Sequence, residues 1–279
     1  MKKLFSYCAA AALVAGLAAC SNEQDTAIGV PDNAVRIKVS MGNSFSSTRS
    51  NPLGTEDEQK VFNVGDTIQL TYKNLEVKYV KTANDWVPVN NQYMLWDGET
   101  MSFEANTLSP SFLLAGNILD QSSLDKINAA DDMYCSVKNA RKADGAINLQ
   151  MNRQTSRIIA KIAGFKNQFE ANAKITDALF EKKPATTEFY SIKPYRQGDG
   201  GVGTTYTGLN RSDNTLQSIT LTVNGITLKA PIYSFNFEAG KSYTFNLIVG
   251  KDKIEIGSVE VSDWTTGSTI NGDVDVEFT

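Results

Sequence analysis

The chain has 279 residues, with 27 Lys and Arg against 31 Asp and Glu, a formal charge of −4 and no histidine. A mildly acidic balance lacks the basic face of a nucleic-acid-binding protein, and 41% hydrophobic residues is typical of a folded chain. The absence of histidine removes Ser-His-Asp and Cys-His catalysis in their usual forms, and histidine-based zinc sites. Carboxylate, lysine or metal–oxygen chemistry would still be possible, but no sequence feature calls for it. We therefore expect no enzymatic activity, no cofactor or metal, and no nucleic-acid partner.

The beginning of the chain indicates export. Two lysines precede an alanine-rich apolar run that is too short for a good membrane-spanning helix. The run ends in Leu17-Ala18-Ala19-Cys20, which matches a lipobox, the pattern in which a cysteine is diacylated and becomes the first mature residue. The alternative is a plain secretory signal. We expect a lipoprotein signal peptide over 1–19, lipidation at Cys20 and a lipid-anchored tether over 20–33, because two acyl chains anchor stably.

Most of the remaining chain alternates apolar and polar residues with period two, which predicts half-buried strands. The first strand has Val35, Ile37, Val39 and Met41 on one side. Further strands are predicted, in chain order, over 68–72, 75–80, 86–87, 219–223, 226–228, 243–249 and 254–261. The pattern of 168–180 is ambiguous between helix and strand, and we favour a strand over 174–180.

Residues typical of turns, helix caps and loops lie between these strands. Asn224-Gly225 predicts a type I′ hairpin, and Asp97-Gly98 predicts a second hairpin between 94–96 and 101–103. Residues 122–130 predict a short helix capped by Ser122 or Ser123. The glycine-rich stretch 197–214 predicts a long loop.

Many short strands with regular turns indicate β-sandwiches, and the length favours two of them in tandem. We predict an N-terminal domain over 34–160 and a C-terminal domain over 161–279. Once the signal peptide leaves and Cys20 carries lipid, Cys135 is the only remaining cysteine, so no intramolecular disulfide can form. Its apolar neighbours predict a buried, inert thiol.

Two other groups of residues resemble binding sites but have simpler structural explanations. Asp131-Asp132 lacks the ligand spacing of a calcium site, and we interpret it as turn chemistry. The aromatic residues Trp86, Tyr93 and Trp96 could stack on a sugar, but aromatic side chains on strands more often belong to the core.

A series of short motifs then appears in a fixed order. It begins with Ser47-Thr48-Arg49-Ser50 and Phe62-x-Val64-Gly65-Asp66, and it ends with the stretch 237–247 followed by Asp263-Trp264-Thr265-Thr266-Gly267. In this order and spacing the chain resembles the fimbrillin (type V pilin-like) lipoproteins of Bacteroidetes. It departs from them in lacking the histidine that members often carry near Arg157.

The resemblance implies an all-β fold of two transthyretin-like β-sandwiches. It also implies a structural subunit of surface fimbriae that reaches the outer membrane as a lipoprotein and is cut by an arginine-specific protease in the early linker. The first strand, with Val35, Ile37, Val39 and Met41, then leaves with the lipid. An extended donor strand from the next subunit fills the groove, and a head-to-tail polymer grows.

The residues agree with each part of this scheme. Arg49 is the only basic residue between Lys38 and Lys60, in a Ser-, Asn- and Gly-rich segment expected to be exposed and cleavable. The stretch 272–279 is the candidate donor strand, since its apolar residues alternate with acids; they are Val274, Val276 and Phe278. The alternative is that this stretch pairs within its own domain.

Other roles of the same fold remain open. A membrane-retained fimbrial anchor would keep its lipid and first strand, and a tip adhesin would lack a free donor strand. A surface glycan-binding lipoprotein would need exposed aromatic residues. The expected partners are thus other fimbrial subunits, the outer membrane through the lipid, and a host protein or glycan.

Overall fold

The computed structural model describes residues 29–42, 52–53, 61–107, 118–166, 169, 172–183, 190–211, 215–232 and 235–264. Within these ranges the chain is almost entirely β-structure, which confirms the predicted all-β class. None of the described helices has the length and apolar character needed to cross a membrane. The elements are β1 (Arg36–Met41), β2 (Thr67–Tyr72), β3 (Leu75–Lys81), β4 (Trp86–Pro88), a 3-10 turn (Val89–Asn91), β5 (Thr100–Asn106), β6 (Ile118–Asp120), α1 (Leu124–Ala129), β7 (Met133–Arg141), a 3-10 turn (Lys142–Asp144), β8 (Ala146–Arg153), β9 (Thr155–Phe165), β10 (Ile175–Lys183), β11 (Tyr190–Lys193), β12 (Tyr195–Gln197), β13 (Thr205–Arg211), β14 (Thr215–Val223), β15 (Ile226–Pro231), β16 (Lys241–Val249) and β17 (Ile254–Asp263).

The first part of the chain forms a seven-stranded sheet in the order β1-β8-β7-β5-β2-β3-β4. The strands at its two ends, β1 and β4, contact each other, so the sheet rolls around its own core. That core is filled by alternate residues of the strands, as period-two patterning requires. Its largest fully buried members are Ile68, Leu70, Tyr79, Met94, Phe103, Met133 and Leu149.

The second part forms two five-stranded sheets, with the orders β15-β14-β10-β11-β6 and β12-β13-β9-β16-β17. One apolar cluster contains residues from both sheets, which is the arrangement of a β-sandwich. Phe180 from the first sheet and Phe245 from the second are both fully buried in it. The short strand β6 is parallel to β11 at the edge of this sandwich, although it precedes β7 in the chain. The domain boundary at residue 160 stays a prediction.

The strongest local predictions are confirmed. Asn224 and Gly225 have φ values of 50° and 78°, as a type I′ turn requires, and Val223 pairs with Ile226 across the hairpin. The helix α1 begins after Ser123, whose hydroxyl accepts a hydrogen bond from the Lys126 N–H. Cys135 is buried, and burial raises the pKa of its thiol to about 11.

Two predictions about loops are wrong. Residues 94–96 do not form a hairpin with 101–103, because Leu95 pairs with Ala34 ahead of β1, while β5 pairs with β2 and β7. The predicted loop 197–214 contains β13, which pairs with β9 along its whole length. Composition concealed this strand, since its seven residues include a glycine, two threonines, an asparagine and an arginine.

That glycine, Gly208, is fixed by close packing between the two sheets. A Cβ atom at this position would lie 2.9 Å from Cδ2 of Phe180 and 3.2 Å from Cγ2 of Ile192. Both side chains are fully buried, so neither has free space into which to move. A glycine is therefore required at the point where β13 crosses the aromatic ring.

We predict that Gly208→Ala lowers the free energy of unfolding by about 1–3 kcal/mol, because it overpacks a rigid core. Urea denaturation followed by circular dichroism measures the change. Gly164→Ala in β9 is the matched control, since its Cβ would meet no atom within 4 Å and should cost nothing. Equal effects of the two substitutions would contradict the packing argument.

Candidate functional site

The strand β1 occupies the end of the seven-stranded sheet and is hydrogen-bonded to β8, in parallel and without a register shift. The register runs from Arg36 opposite Ala146 to Met41 opposite Met151. A strand at this position has one hydrogen-bonded neighbour within its sheet. Its detachment would therefore break one ladder and leave the other strands of the sheet in place.

The side chains of β1 that face inward complete the core of this sheet. Val35, just before the strand, and Ile37 are buried, while Val39 and Met41 are half-buried and pack against the same cluster. Full burial of one such side chain contributes on the order of 1.5–3 kcal/mol. Loss of the strand would thus remove several kcal/mol from a fold whose total stability is on the order of 5–15 kcal/mol.

Backbone contacts fix the strand at both ends. The Val35 N–H donates to the Met94 carbonyl at 2.8 Å, and the Trp96 N–H donates to the Asn33 carbonyl at 2.9 Å. Beyond the strand, the Gly42 N–H donates to the Met151 carbonyl at 2.9 Å. The hydroxyl of Tyr79 donates to the Val35 carbonyl, and burial raises the pKa of this tyrosine to about 12.

Several predicted site residues lie outside the described part of the chain. These are the lipidation site Cys20, the processing site Arg49 and the donor-strand residues Val274, Val276 and Phe278. The four predicted residues of the displaced strand lie together on the inner side of one edge strand. Their role in displacement stays a prediction.

A second feature, which the sequence did not indicate, is a buried charge where β8 leads into β9. The Nε atom of Arg153 donates to both carboxylate oxygens of Asp131, at 2.7 and 3.0 Å, and a second guanidinium nitrogen also contacts this carboxylate. The Thr155 hydroxyl donates to Asp131 at 3.0 Å. The turn interpretation of Asp131 is therefore wrong, because its carboxylate is fully buried as the partner of an arginine.

An aromatic ring covers this ion pair. The guanidinium carbon of Arg153 lies 3.7 Å from the ring centroid of Trp264, and that of Arg157 lies 5.2 Å from the same centroid. Burial lowers the pKa of Arg157 to about 10, and the charge of Arg153 adds to this effect. Both guanidinium groups thus lie against one indole ring, an arrangement in which a cation is attracted to the face of the ring.

The aromatic residues considered for sugar stacking do not form one exposed platform. Trp96 is 7% exposed and packs edge-on against Phe103 in the core. Trp86 is half-buried and packs edge-on against Phe62. Among the described residues there is also no cluster of Asp, Glu or Cys that could hold a metal ion.

The comparison with protein families gives a decisive match, because the model of the fimbrillin-like family matches residues 48–264. The chain belongs to the fimbrillin-like family. The match begins at Thr48, next to Arg49, and ends at Trp264, the tryptophan that covers the buried arginine.

Solved structures share the fold of this fimbrillin-like chain. A proposed cell adhesion protein from Bacteroides uniformis ATCC 8492 has a TM-score of 0.55 at 17% identity, covering 84% of this chain and 100% of its own. A second such protein, from Bacteroides ovatus ATCC 8483, has a TM-score of 0.54 at 16% identity, covering 84% and 99%. A comparison with curated proteins gives no match.

We predict that Asp131→Asn lowers the free energy of unfolding by about 3–5 kcal/mol, because it leaves the buried guanidinium of Arg153 without its counter-charge. Asp144→Asn is the matched control, since it removes an exposed ion pair with Arg141 and should have little effect. Both variants are measured by urea denaturation. A loss at Asp131 no larger than that at Asp144 would contradict a buried ion pair.

Proposed function

We propose that this fimbrillin-like protein is a structural subunit of a surface fimbria, activated by a cut after Arg49 and polymerised by donor-strand exchange. The observation that carries the proposal is the placement of β1. It is an edge strand with a buried apolar side, and it lies directly before the segment that contains Arg49. A cut there would separate the strand covalently from the rest of the fold and allow another strand to replace it.

The groove beneath β1 is suited to accept a strand from another subunit. Its floor is apolar, and the free edge of β8 would offer a full ladder of backbone donors and acceptors. An unfilled groove of this kind is unstable, since it exposes core side chains and an unpaired edge. A complementary strand in solution would therefore be bound strongly.

The end of the chain has the pattern of such a strand. Val274, Val276 and Phe278 have the same two-residue spacing as Ile37, Val39 and Met41, so they would fill the same inward positions. The outward residues would be acidic where those of β1 include Arg36 and Lys38. The outward face of β8 tolerates either charge because it is neutral, with Asn148, Gln150 and Asn152 exposed.

In this proposal the lipid serves to bring the subunit to the cell surface. Diacylation at Cys20 would hold the precursor at the outer membrane, and the cut after Arg49 would leave the lipid on the detached segment. The lipobox before Cys20 supports this part of the proposal. If a host protein or glycan is a further partner, the assembled fimbria would bind it.

We predict that an arginine-specific protease cuts the protein spanning residues 21–279 once, after Arg49. Arginines within the sheets are protected by ladder hydrogen bonds, whereas proteases need an extended chain. Intact-mass spectrometry identifies the product. Arg49→Lys is the matched control, since it keeps the charge but should abolish the cut. A first cut at any other arginine would contradict this processing site.

We further predict that the cut protein forms a heat-sensitive ladder on an unheated denaturing gel. Val276→Asp should abolish the ladder, because the new carboxylate would point into an apolar groove. Asp275→Asn, one residue earlier and pointing outward, should leave the ladder intact. A ladder that survives Val276→Asp would contradict the donor assignment. A clean cut without any ladder would contradict the polymerising subunit and favour an anchor or tip of the same fold.

A further inference from the structure

Three residues after Arg49, the chain enters a built site on the body of the protein. Pro52 is buried, and its carbonyl oxygen accepts two hydrogen bonds. Nη1 of Arg157 donates at 2.9 Å, and the indole Nε1 of Trp264 donates at 3.3 Å. We call the group of Arg157, Ser242 and Trp264 the Pro52 seat.

The donors of the Pro52 seat are held in place by their own partners. Nε of Arg157 donates to the hydroxyl of Ser242 at 2.7 Å, so a second hydrogen bond holds the guanidinium in place. The ring of Trp264 is 1% exposed and rests on the guanidinium of Arg153. Because these groups are already ordered by the fold, binding of the carbonyl costs little additional side-chain entropy.

The segment that occupies the seat suits it chemically. Proline has no N–H group, so its burial leaves no backbone donor to satisfy, and its φ angle is already fixed. The following residue, Leu53, packs against a small apolar cluster of Ile127, Ala130, Leu209 and Trp264. The seat thus binds a backbone carbonyl, and the aliphatic side chain that follows packs beside it against Trp264 and its neighbours.

The position of this anchor relative to Arg49 suggests what it does. Only Ser50 and Asn51 separate Arg49 from Pro52, and the chain before Arg49 is fixed at Gly42 by β8. We propose that the Pro52 seat is a retention site: it holds the chain on the carboxyl side of Arg49, so that a cut there frees β1 but leaves the new amino terminus bound to the subunit. This inference rests on the proposed cleavage after Arg49.

The chemistry of the cut does not disturb the seat. Hydrolysis by the protease adds one water across the Arg49–Ser50 peptide bond, giving a carboxylate on Arg49 and an ammonium group on Ser50. No bond of Pro52 is made or broken, and its carbonyl keeps both donors. The same contacts therefore operate before and after processing.

The test uses a label beside the seat in the protein spanning residues 21–279. The Asn51→Cys variant provides one reactive thiol, because Cys135 is buried with its pKa raised to about 11 and reacts slowly at neutral pH. A spin label at position 51 reports local motion by electron paramagnetic resonance, before and after treatment with the arginine-specific protease. We expect a restrained spectrum in both states.

Trp264→Phe and Arg157→Lys, combined in the labelled protein, remove one indole donor and the forked guanidinium while keeping an aromatic ring and a positive charge. The label should then become as mobile as one on a free chain end. Trp96→Phe is the matched control, since it shortens a buried tryptophan remote in its contacts from Pro52 and should leave the spectrum unchanged.

Three results would overturn the retention site. The label could be mobile in the cut protein with an intact seat, it could stay restrained in the double variant, or Trp96→Phe could mobilise it equally. Failure of the protease to cut at Arg49 would contradict the proposed function instead. The retention site could then still be tested in the uncut protein, by comparing the mobility of the spin label at position 51 between the double variant and the protein with an intact seat.

Discussion

The buried guanidinium of Arg153 is the interaction on which the architecture depends. It lies at the last residue of β8, two residues before β9 begins, and so fixes the point where the chain passes from the rolled sheet to the sandwich. The desolvation free energy of an unpaired charge at this depth would be too large for the fold to tolerate. Arg153 therefore requires Asp131 and the ring of Trp264 as partners. One arginine thereby holds together the start of β7, the end of β8 and the end of β17.

The first strand has a different kind of importance. Arg36 pairs with Ala146, far along the chain, so this pairing requires a long loop to close and should form late in folding. The strand nevertheless supplies buried residues to the core of the rolled sheet. A part of the core that is held at a sheet edge suits the proposed subunit, which would stay folded during export and become incomplete only after the cut.

Sequence predicted the features that depend on local chemistry. The alternation of Val35 to Met41, the Asn224-Gly225 turn and the Ser123 cap each follow from a few neighbouring residues, and each is found in the structure. Features set by distant contacts were missed. Gly208 belongs to a strand because it pairs with Ile158 of β9, and Asp131 is an ion-pair partner because Arg153, 22 residues later, reaches it. Neither contact leaves a periodic pattern.

The parallel direction of β1 and β8 has a mechanical consequence. In the proposed exchange, a strand that replaces β1 in the same direction would enter near Arg36 and end near Met41. Trp264, the residue before the C-terminal stretch, lies against Arg153 at the end of β8. The incoming strand would then enter at one end of β8, and the subunit's own C-terminal stretch would leave at the other. Tension along such a fibre would pull every hydrogen bond of the ladder in shear at once, rather than opening them singly. The bonds would share the load, and the joint would resist shear forces far better than peeling.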